Sequence, residues 1–411
     1  MLAKLASDAG HPEPRRGEAI VMALSHRANN ARAAIEAMIT FFGRMSDADR
    51  PDAIDLTFGN PHEMALPALV DAMRDQLEPR TVDWFAYQNS RPEAQEAVAA
   101  GLRTELGLDF APADIAMTQG AFGAIELAFA ALADGGDEVV VPMPGWFCYA
   151  PMLRVADLVP VQAPLDPETF DLDIDAIARA ITPRTRIVVV NSPANPTGRV
   201  YPKSTWDALA EVLETASSAH GRRIWLLSDE PYRRIRFDGI GFASPAGSYP
   251  WTLIDYSYGK VLLAPGQRLG YLAISPLVPE PERVELRESM AALQLAIGWG
   301  WPDSIMQRAV PVLEHVSIDL AELTRRRDRV YGALVDAGYT ITRPEGTFYL
   351  WGRAPDGDGD AFVDALARRG VYVFPGAQFD QPHHFRISLT ATMDMLERAL
   401  PHFLDLAQPS G

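Results

Sequence analysis

Short apolar segments rich in β-branched residues recur along this chain, and an amphipathic helical pattern separates each one from the next. The clearest segments are Glu138–Pro142, Arg186–Asn191, Arg223–Asp229, Thr252–Ser257 and Arg268–Ile274. Strands that are apolar throughout must be covered on both faces, and the intervening helices can supply that cover. The pattern therefore predicts an α/β fold in which helices sandwich a mostly parallel sheet.

The pattern changes on both sides of this series. The polar N-terminal residues predict a loose arm, and apolar residues at helical spacing over 18–45 predict a helix. After Pro276, a helical stretch of about 280–337 precedes a group of short predicted strands, which are Tyr339–Thr342, Thr347–Trp351, Val371–Phe374 and His384–Ser388. The predicted units are an N-terminal arm with the start of a small domain (1–65), a large domain (66–290) and a C-terminal small α+β domain (291–411).

Charge and cysteine content exclude several classes of protein. The 411 residues carry a formal net charge of -17 that is spread along the chain, without the basic stripe of a nucleic-acid-binding protein. A single cysteine, Cys148, allows no intrachain disulfide and no zinc cluster, so we expect no metal. No apolar run reaches the ~18 residues of a membrane span, and residues 1–16 lack the apolar core of a signal peptide. We expect a cytoplasmic protein without nucleic-acid or membrane partners.

The densest basic run is Arg325–Arg329. Apolar residues recur around it at helical spacing, as at Leu323 and Val330. We interpret the run as a solvated helix face rather than an anion site.

Polar side chains follow three consecutive predicted strands, at the edge where open α/β sheets bind ligands. Asn191–Gly198 is a loop with two prolines, Ser228–Tyr232 closes the next strand, and Ser257–Lys260 closes the one after. The segment Ala264–Arg268 comes next. Each piece alone is a weak signal, because an Asp at a strand end is usually a cap and a lone Lys is usually exposed. Their order along the chain is the informative feature.

In this order the motifs resemble those of fold-type-I enzymes that depend on pyridoxal 5'-phosphate (PLP), in the class I/II aminotransferase family related to aspartate aminotransferase. The resemblance extends from about residue 50 to 405. It implies a PLP cofactor and a role in amino acid metabolism, in which nitrogen is transferred from an L-α-amino acid to a 2-oxo acid.

The resemblance also implies roles for the residues at the strand ends. Lys260 would hold the cofactor as a Schiff base and then move the substrate's α-proton. Asp229 would keep the pyridine nitrogen protonated by charge pairing. Asn195 and Tyr232 match residues that hydrogen-bond the cofactor's phenolic oxygen.

The cofactor's phosphate needs backbone N–H groups at a helix start and a fixed cation. The turn Gly120-Ala121-Phe122 lies between a predicted strand and an apolar helix and could supply the first. By resemblance, Ser257 and Arg268 would add a hydroxyl and a guanidinium. Trp146 matches the aromatic residue that stacks on the pyridine ring, although a tryptophan alone is usually core.

Arg386 lies at an inward position of an alternating strand, where an arginine is costly unless it is paired. In the family its partner is the substrate α-carboxylate, bound through two hydrogen bonds. Gly59 matches the glycine whose backbone approaches the same carboxylate, and Trp146 and Asn195 also match substrate-binding positions.

The resemblance further implies a homodimer with shared active sites, in which an aromatic segment lends a tyrosine to the neighbouring subunit's phosphate site. Tyr87 is the residue we expect there, with Phe85 as its competitor. The chain departs from the family pattern at Gly259, Gln267, Ser90 and in the loop 298–302. These departures concern the substrate side chain and the outcome of the reaction rather than cofactor binding.

Two other functions are compatible with the same motifs. A specialised PLP enzyme of this fold could catalyse an elimination, or an oxygen-dependent oxidation or decarboxylation, of an amino acid. A PLP-fold regulator without turnover is disfavoured, because residues 1–50 are too short and not basic enough for a DNA-binding segment. The sequence does not identify the amino donor.

Overall fold

The structure is a computed structural model that describes residues 24–45, 52–298 and 301–407. The helices are α1 (His26–Arg44), α2 (Pro67–Arg74), α3 (Pro92–Leu106), α4 (Gly120–Leu132), α5 (Tyr149–Val155), α6 (Ile174–Ala180), α7 (Lys203–His220), α8 (Tyr258–Val261), α9 (Glu280–Ile297), α10 (Ser304–Leu313), α11 (Leu320–Asp336), α12 (Gly359–Ala367) and α13 (Met393–Ala407). The strands are β1 (Ile54–Asp55), β2 (Ile115–Thr118), β3 (Glu138–Met143), β4 (Val159–Pro164), β5 (Thr185–Asn191), β6 (Trp225–Asp229), β7 (Thr252–Ser257), β8 (Gly270–Ile274), β9 (Ile341–Thr342), β10 (Tyr349–Arg353), β11 (Val371–Tyr372), β12 (Phe374–Pro375) and β13 (His384–Ser388).

The central sheet has seven strands in the order β2-β8-β7-β6-β5-β3-β4. The strands from β7 to β4 are parallel, while β8 runs antiparallel to both β7 and β2. Within β5, Val188 and Val190 pack into one core cluster and Ile187 and Val189 into another. Both faces of the strand are therefore buried, which is why its sequence is apolar throughout. The predicted α/β fold with a mostly parallel sheet is confirmed.

The remaining strands form two smaller sheets. One is the antiparallel sheet β12-β13-β10-β9, and the other pairs β1 in parallel with β11. The pairing of Ile54 with Val371 brings residues from the two ends of the described chain together. The division into units at residues 65 and 290 stays a prediction.

Two predicted elements are divided in the structure. The helical stretch 280–337 is three helices, because Gly298 ends α9 with a positive φ of 83° and the side chains of Asp303 and Asp319 cap α10 and α11. The predicted strand Val371–Phe374 is also two strands, and they belong to different sheets.

The prediction for the arginine run on α11 was wrong for two residues. The side chains of Arg326 and Arg327 are buried, whereas Arg325 is exposed. Arg327 binds both carboxylate oxygens of Asp238 at 2.8 Å, and Arg326 contacts Glu63 at 2.6 Å. Ion pairing across elements permits this burial, and a helical period alone does not reveal it.

The loose arm predicted for the first residues lies outside the described part of the chain. No helix within the described ranges is both long and apolar enough to cross a membrane.

Candidate active site

The polar ends of three neighbouring strands meet at one edge of the central sheet. Asn191 on β5 and Asp229 on β6 are register partners, and Asn191 Nδ2 donates to the Asp229 carbonyl at 2.8 Å. The Asn191 side chain also accepts from the backbone N–H of Asn195 at 2.6 Å. The proline-containing loop is thereby held against the end of β6, and Asn195 is buried.

Asp229 is a buried carboxylate with few neighbours of opposite charge. The Tyr149 hydroxyl donates to its Oδ2 atom, while its Oδ1 atom has no hydrogen-bond partner among the described residues. Burial raises the pKa of Asp229, and the neighbouring Asp255 carboxyl, the Tyr149 hydroxyl and the charge of Lys260 oppose this rise. A cation that entered the pocket would find an acceptor already in place.

Lys260 lies on the short helix α8, which follows β7 directly. Its Nζ atom is 5.7 Å from the centre of the Tyr232 ring. The charge of Lys260 also acts on Asp229, Tyr349 and the Cys148 thiol, whose pKa burial raises to about 12. The lysine amine is therefore close enough to all four side chains to influence their charge. Ser257 ends β7 and is buried at the start of α8.

Arg386 on β13 approaches the same pocket from the small antiparallel sheet. Its guanidinium donates to Asn195 Oδ1 at 2.9 Å and to the Thr57 carbonyl at 2.8 Å. The residue is 1% exposed, and its Nε atom has no partner among the described residues. No carboxylate of the described chain is paired with it, so an anion from outside would complete its coordination.

Tyr349 connects Arg386 with the other groups of the pocket. The Arg386 guanidinium carbon lies 3.9 Å from the centre of the Tyr349 ring. Burial raises the pKa of Tyr349, but Arg386, Lys260 and hydrogen bonds from Tyr232 and the Gly59 backbone together bring it below its ordinary value. A side chain on Gly59 would meet the Phe348 ring at 2.4 Å, so only glycine fits here. Tyr232, the donor to Tyr349, has a pKa raised well above its ordinary value by burial and by Tyr349.

The turn before α4 forms a compact cradle. Gly120 has a φ of 76°, and a Cβ atom on it would lie 2.6 Å from Arg268 Nη2. The same guanidinium donates to the carbonyls of Gln119 and Pro265. The first N–H groups of α4, including those of Ala121 and Phe122, have no acceptor within their own helix. A helix start and an arginine therefore face the same space, which suits a phosphate.

The Trp146 ring lies beside this cradle. It makes edge-to-face contacts with Phe122, at 4.7 Å between ring centres, and with Tyr149, at 5.2 Å. Trp146 and Arg268 both line a cavity of about 1040 Å³ that also contacts α1. Of the residues predicted to bind the phosphate or stack on the ring, Phe122, Arg268 and Trp146 line this one cavity.

The predicted intersubunit residues are at the surface. Tyr87 is 90% exposed and Phe85 is 56% exposed, and the Tyr87 ring lies 5.5 Å from that of Trp301. Of the loop 298–302, residues 299 and 300 lie outside the described residues. Among the departures, Ser90 Oγ accepts from the Met117 backbone at 2.8 Å. Gly259 is favoured because a Cβ there would lie 3.0 Å from Pro265 Cα.

The groups present in the pocket are chemically suited to bind PLP. It contains an amine at Lys260, a buried carboxylate oxygen without a described hydrogen-bond partner at Asp229, and a helix start beside the Arg268 guanidinium at Gly120. These three groups correspond to the cofactor's carbonyl, its ring nitrogen and its phosphate.

Sequence reasoning missed Tyr149 and Tyr349. Tyr349 lies two residues before Trp351, which is the register partner of Arg386. Residues two apart on a strand share a face, so this spacing was a signal for Tyr349. For Tyr149 the only signal in the sequence was its position shortly after Trp146. Its contact with Asp229 joins residues that are 80 positions apart in the chain.

Comparison with known proteins agrees with this geometry. The profile of the family described as "Aminotransferase class I and II" matches residues 51–403. A probable aspartate/prephenate aminotransferase of Thermus aquaticus is 31% identical, covering 87% of this chain and 92% of that protein. The aspartate/prephenate aminotransferase of Thermus thermophilus is 33% identical, with coverage of 86% and 90%.

Solved structures show the same likeness. An aminotransferase from Eubacterium rectale superposes with a TM-score of 0.81 at 28% identity, covering 94% of this chain and 96% of that one. The Thermus thermophilus aspartate aminotransferase with maleate gives 0.78 at 30% identity, covering 93% and 99%.

The chain belongs to the class I and II aminotransferase family. It is a PLP-dependent aminotransferase, which acts on an amino acid and a 2-oxo acid.

Proposed function

We propose that Lys260, Asp229 and Arg386 divide the work of transamination among them. Bound PLP supplies an electron sink for the bond that is broken at the substrate's Cα. Lys260 holds the cofactor covalently and then carries the α-proton. Asp229 pairs with the protonated ring nitrogen, and Arg386 binds the substrate α-carboxylate.

The observation that carries this proposal is the environment of Arg386. Its buried guanidinium is held by neutral oxygens of Asn195 and Thr57 and has an Nε atom without a described partner. A bound carboxylate would balance its charge. With the carboxylate held in this way, the proton on Cα is the group left for the Lys260 amine. That arrangement favours transamination over decarboxylation.

We assign the cofactor's remaining contacts to the residues around it. Ser257, Arg268 and the α4 N-terminus at Gly120, Ala121 and Phe122 would bind the phosphate. Trp146 would stack on the ring face, and Asn195 and Tyr232 would hydrogen-bond the phenolic oxygen. The residues near the substrate would be Gly59, Trp146 and Asn195.

The proposal includes a cytoplasmic homodimer in which Tyr87, or Phe85 in its place, reaches the partner's phosphate site. The support is the exposed segment that carries Phe85 and Tyr87 next to Trp301. The names of the relatives make aspartate the first amino donor to test and prephenate the first acceptor.

Borohydride reduction followed by peptide mass spectrometry tests the covalent role. The sequence contains only three lysines, Lys4, Lys203 and Lys260. We expect the reduced cofactor on the peptide with Lys260 and no adduct in Lys260→Ala. Lys203→Ala is the matched control, because Lys203 is exposed and pairs with Asp207 at 2.6 Å. An adduct on Lys203 would overturn the assignment.

Product analysis tests the reaction itself. We expect loss of the amino acid to require a 2-oxo acid and to match the amount of new amino acid formed. Carbon dioxide or peroxide released in step with substrate loss, without any 2-oxo acid, would instead support the oxidation or decarboxylation alternative.

A further inference from the structure

Asp255 is a carboxylic acid in the middle of a buried central strand. It lies on β7 between Ile254 and Tyr256, and its side chain is 0% exposed. The parallel pairing of β6 with β7 makes Asp255 the register partner of Asp229. Register partners in adjacent strands project from the same face about 4.8 Å apart, so the two carboxyl groups are side by side.

This pair cannot be two carboxylates. Asp229 is 4% exposed, and neither oxygen of Asp255 has a hydrogen-bond partner among the described residues. Two adjacent buried anions without donors between them would repel strongly, and such a pair retains a proton.

The surrounding groups determine which acid keeps the proton. Asp229 receives the Tyr149 hydroxyl from α5 and feels the charge of Lys260 from α8, both of which favour its anionic form. Asp255 is paired with Asp229 of β6, the charge of Glu230 just after β6 also acts on it, and no cation of the described residues does. Burial, then the adjacent Asp229 carboxylate, and then the charge of Glu230 raise the pKa of Asp255 well above its ordinary value.

We propose that Asp255 is a positioning residue that remains protonated and donates a hydrogen bond to Asp229. Asp229 then carries the single negative charge of the pair, held by two neutral donors, Asp255 and Tyr149. Its remaining acceptor capacity is directed toward the ring nitrogen of PLP. This last consequence rests on the role proposed for Asp229, whereas the proton on Asp255 does not depend on it.

Infrared difference spectroscopy of the holoenzyme tests the proton directly. At neutral pH we expect the carbonyl stretch of a protonated carboxylic acid in the wild type, and its loss in Asp255→Asn. Glu230→Gln is the matched control, because Glu230 is also fully buried and burial raises its pKa to about 7, so that it can contribute a separate band. A wild-type spectrum from which Asp255→Asn removes no such band would overturn the proposal.

The affinity for PLP tests the positioning role. An Asn amide can still donate to Asp229, whereas a Val side chain of similar size cannot. We expect Asp255→Asn to bind PLP about tenfold more tightly than Asp255→Val, the effect of one hydrogen bond to a charged group. Equal affinities in the two variants would contradict the role. If the Val variant does not fold, Asp255→Ala, which also lacks a donor, takes its place, and the infrared result decides the proton assignment independently.

The two proposals fail in different ways. A reduced adduct on Lys203 would overturn the proposed function and leave the infrared band of Asp255 unchanged. Loss of the proton assignment would leave the adduct on Lys260.

Discussion

The guanidinium of Arg386 is surrounded by aromatic rings. Its central carbon lies 3.9 Å from the centre of the Tyr349 ring, 4.7 Å from that of Phe374 and 5.2 Å from that of Phe379. Ring faces stabilise a cation in part, and the carbonyl and amide oxygens near it add two hydrogen bonds. A carboxylate would complete this environment, and a substrate can supply one.

Removing this cation should reduce catalysis on any α-amino acid. We expect Arg386→Ala to cost about 2–5 kcal/mol in kcat/KM, the range for truncating one partner of a buried charge pair. Steady-state kinetics with aspartate and a 2-oxo acid would measure it. Arg398→Ala is the control, since Arg398 pairs with Asp394 on an exposed face of α13. An unchanged kcat/KM in Arg386→Ala would show that the carboxylate binds elsewhere.

At the residue scale, the sequence predicted groups that carry a recognisable motif. Lys260 and Asp229 were predicted from the order of motifs that resembles the family, and Arg386 also from its inward position on a strand, where an unpaired arginine is costly. Tyr149 and Tyr349 were not, because a buried tyrosine is ordinary until its partner is known. Asp255 was visible as a carboxylate in an apolar segment, but its partner depends on strand register.

Helix α4 begins where strand β2 ends, and the turn between them requires glycine. We expect Gly120→Ala to weaken PLP binding roughly tenfold, because the left-handed backbone strains a side chain and the new Cβ displaces Arg268. Spectroscopic titration of the apoprotein with PLP would measure this.

Gly107→Ala is a matched control for that change. Gly107 also has a positive φ, 69°, but no described atom lies within 4 Å of a Cβ placed on it. It should lose stability without losing cofactor affinity. Equal losses of PLP affinity in the two variants would show that Gly120 matters only for backbone conformation.

Strand β13 carries a histidine, His384, whose protonation at acidic pH lowers the free energy of unfolding. His384 stacks on Trp351 at 5.0 Å, and burial, followed by Arg353 and His383, lowers its pKa from 6.5 to about 4. The folded protein therefore binds this proton less readily than the unfolded chain. Its contribution to stability is present above pH 6.5 and is lost as the pH falls toward 4.

We expect His384→Phe to keep the stacked ring and remove this dependence. Between pH 7 and pH 5 its free energy of unfolding should fall about 1 kcal/mol less than that of the wild type, after allowance for solvent screening of a half-buried ring. Denaturant titrations at both pH values would measure it. His315→Phe, at an exposed position, is the control. Parallel pH profiles in wild type and His384→Phe would contradict the expectation.

At the element scale, periodicity predicted the central strands well and the small sheets less well. The strands β5, β6 and β7 are apolar because both faces are buried, so composition alone reveals them. The strands β9, β11 and β12 have two residues each, and only pairing with distant strands defines them. The breaks between α9, α10 and α11 depend on caps within a continuous helical pattern.

Over the whole molecule, the most exposed apolar surface includes the segment 82–87. Val82, Phe85, Tyr87 and Leu295 are all exposed. Trp84 anchors the segment, since its indole N–H donates to the Gln76 carbonyl at 2.8 Å and the Arg308 guanidinium stacks on it at 3.4 Å. A fixed segment with outward apolar side chains is typical of an interface.

Hybrid dimers would test whether this surface serves a partner's active site. We expect Lys260→Ala and Tyr87→Phe proteins, each with low activity, to regain activity when mixed. Random exchange in a two-fold dimer leaves about one quarter of the sites with both native residues. Phe85→Ala in place of Tyr87→Phe would distinguish the two candidate residues. A monomer at micromolar concentration by light scattering, with no recovery on mixing, would contradict shared sites.

The sequence by itself determined the class of fold, the family and the main residues of the pocket. Those features follow from local patterns: strands buried on both faces, and unusual polar groups in a fixed order at their ends. Tertiary structure decided which groups touch. The register of β6 against β7 places Asp255 beside Asp229, and the approach of the small sheet places Arg386 against Tyr349, on which the charge of Lys260 also acts. Such contacts join residues far apart in the chain, so their energies depend on packing and burial that no local pattern contains.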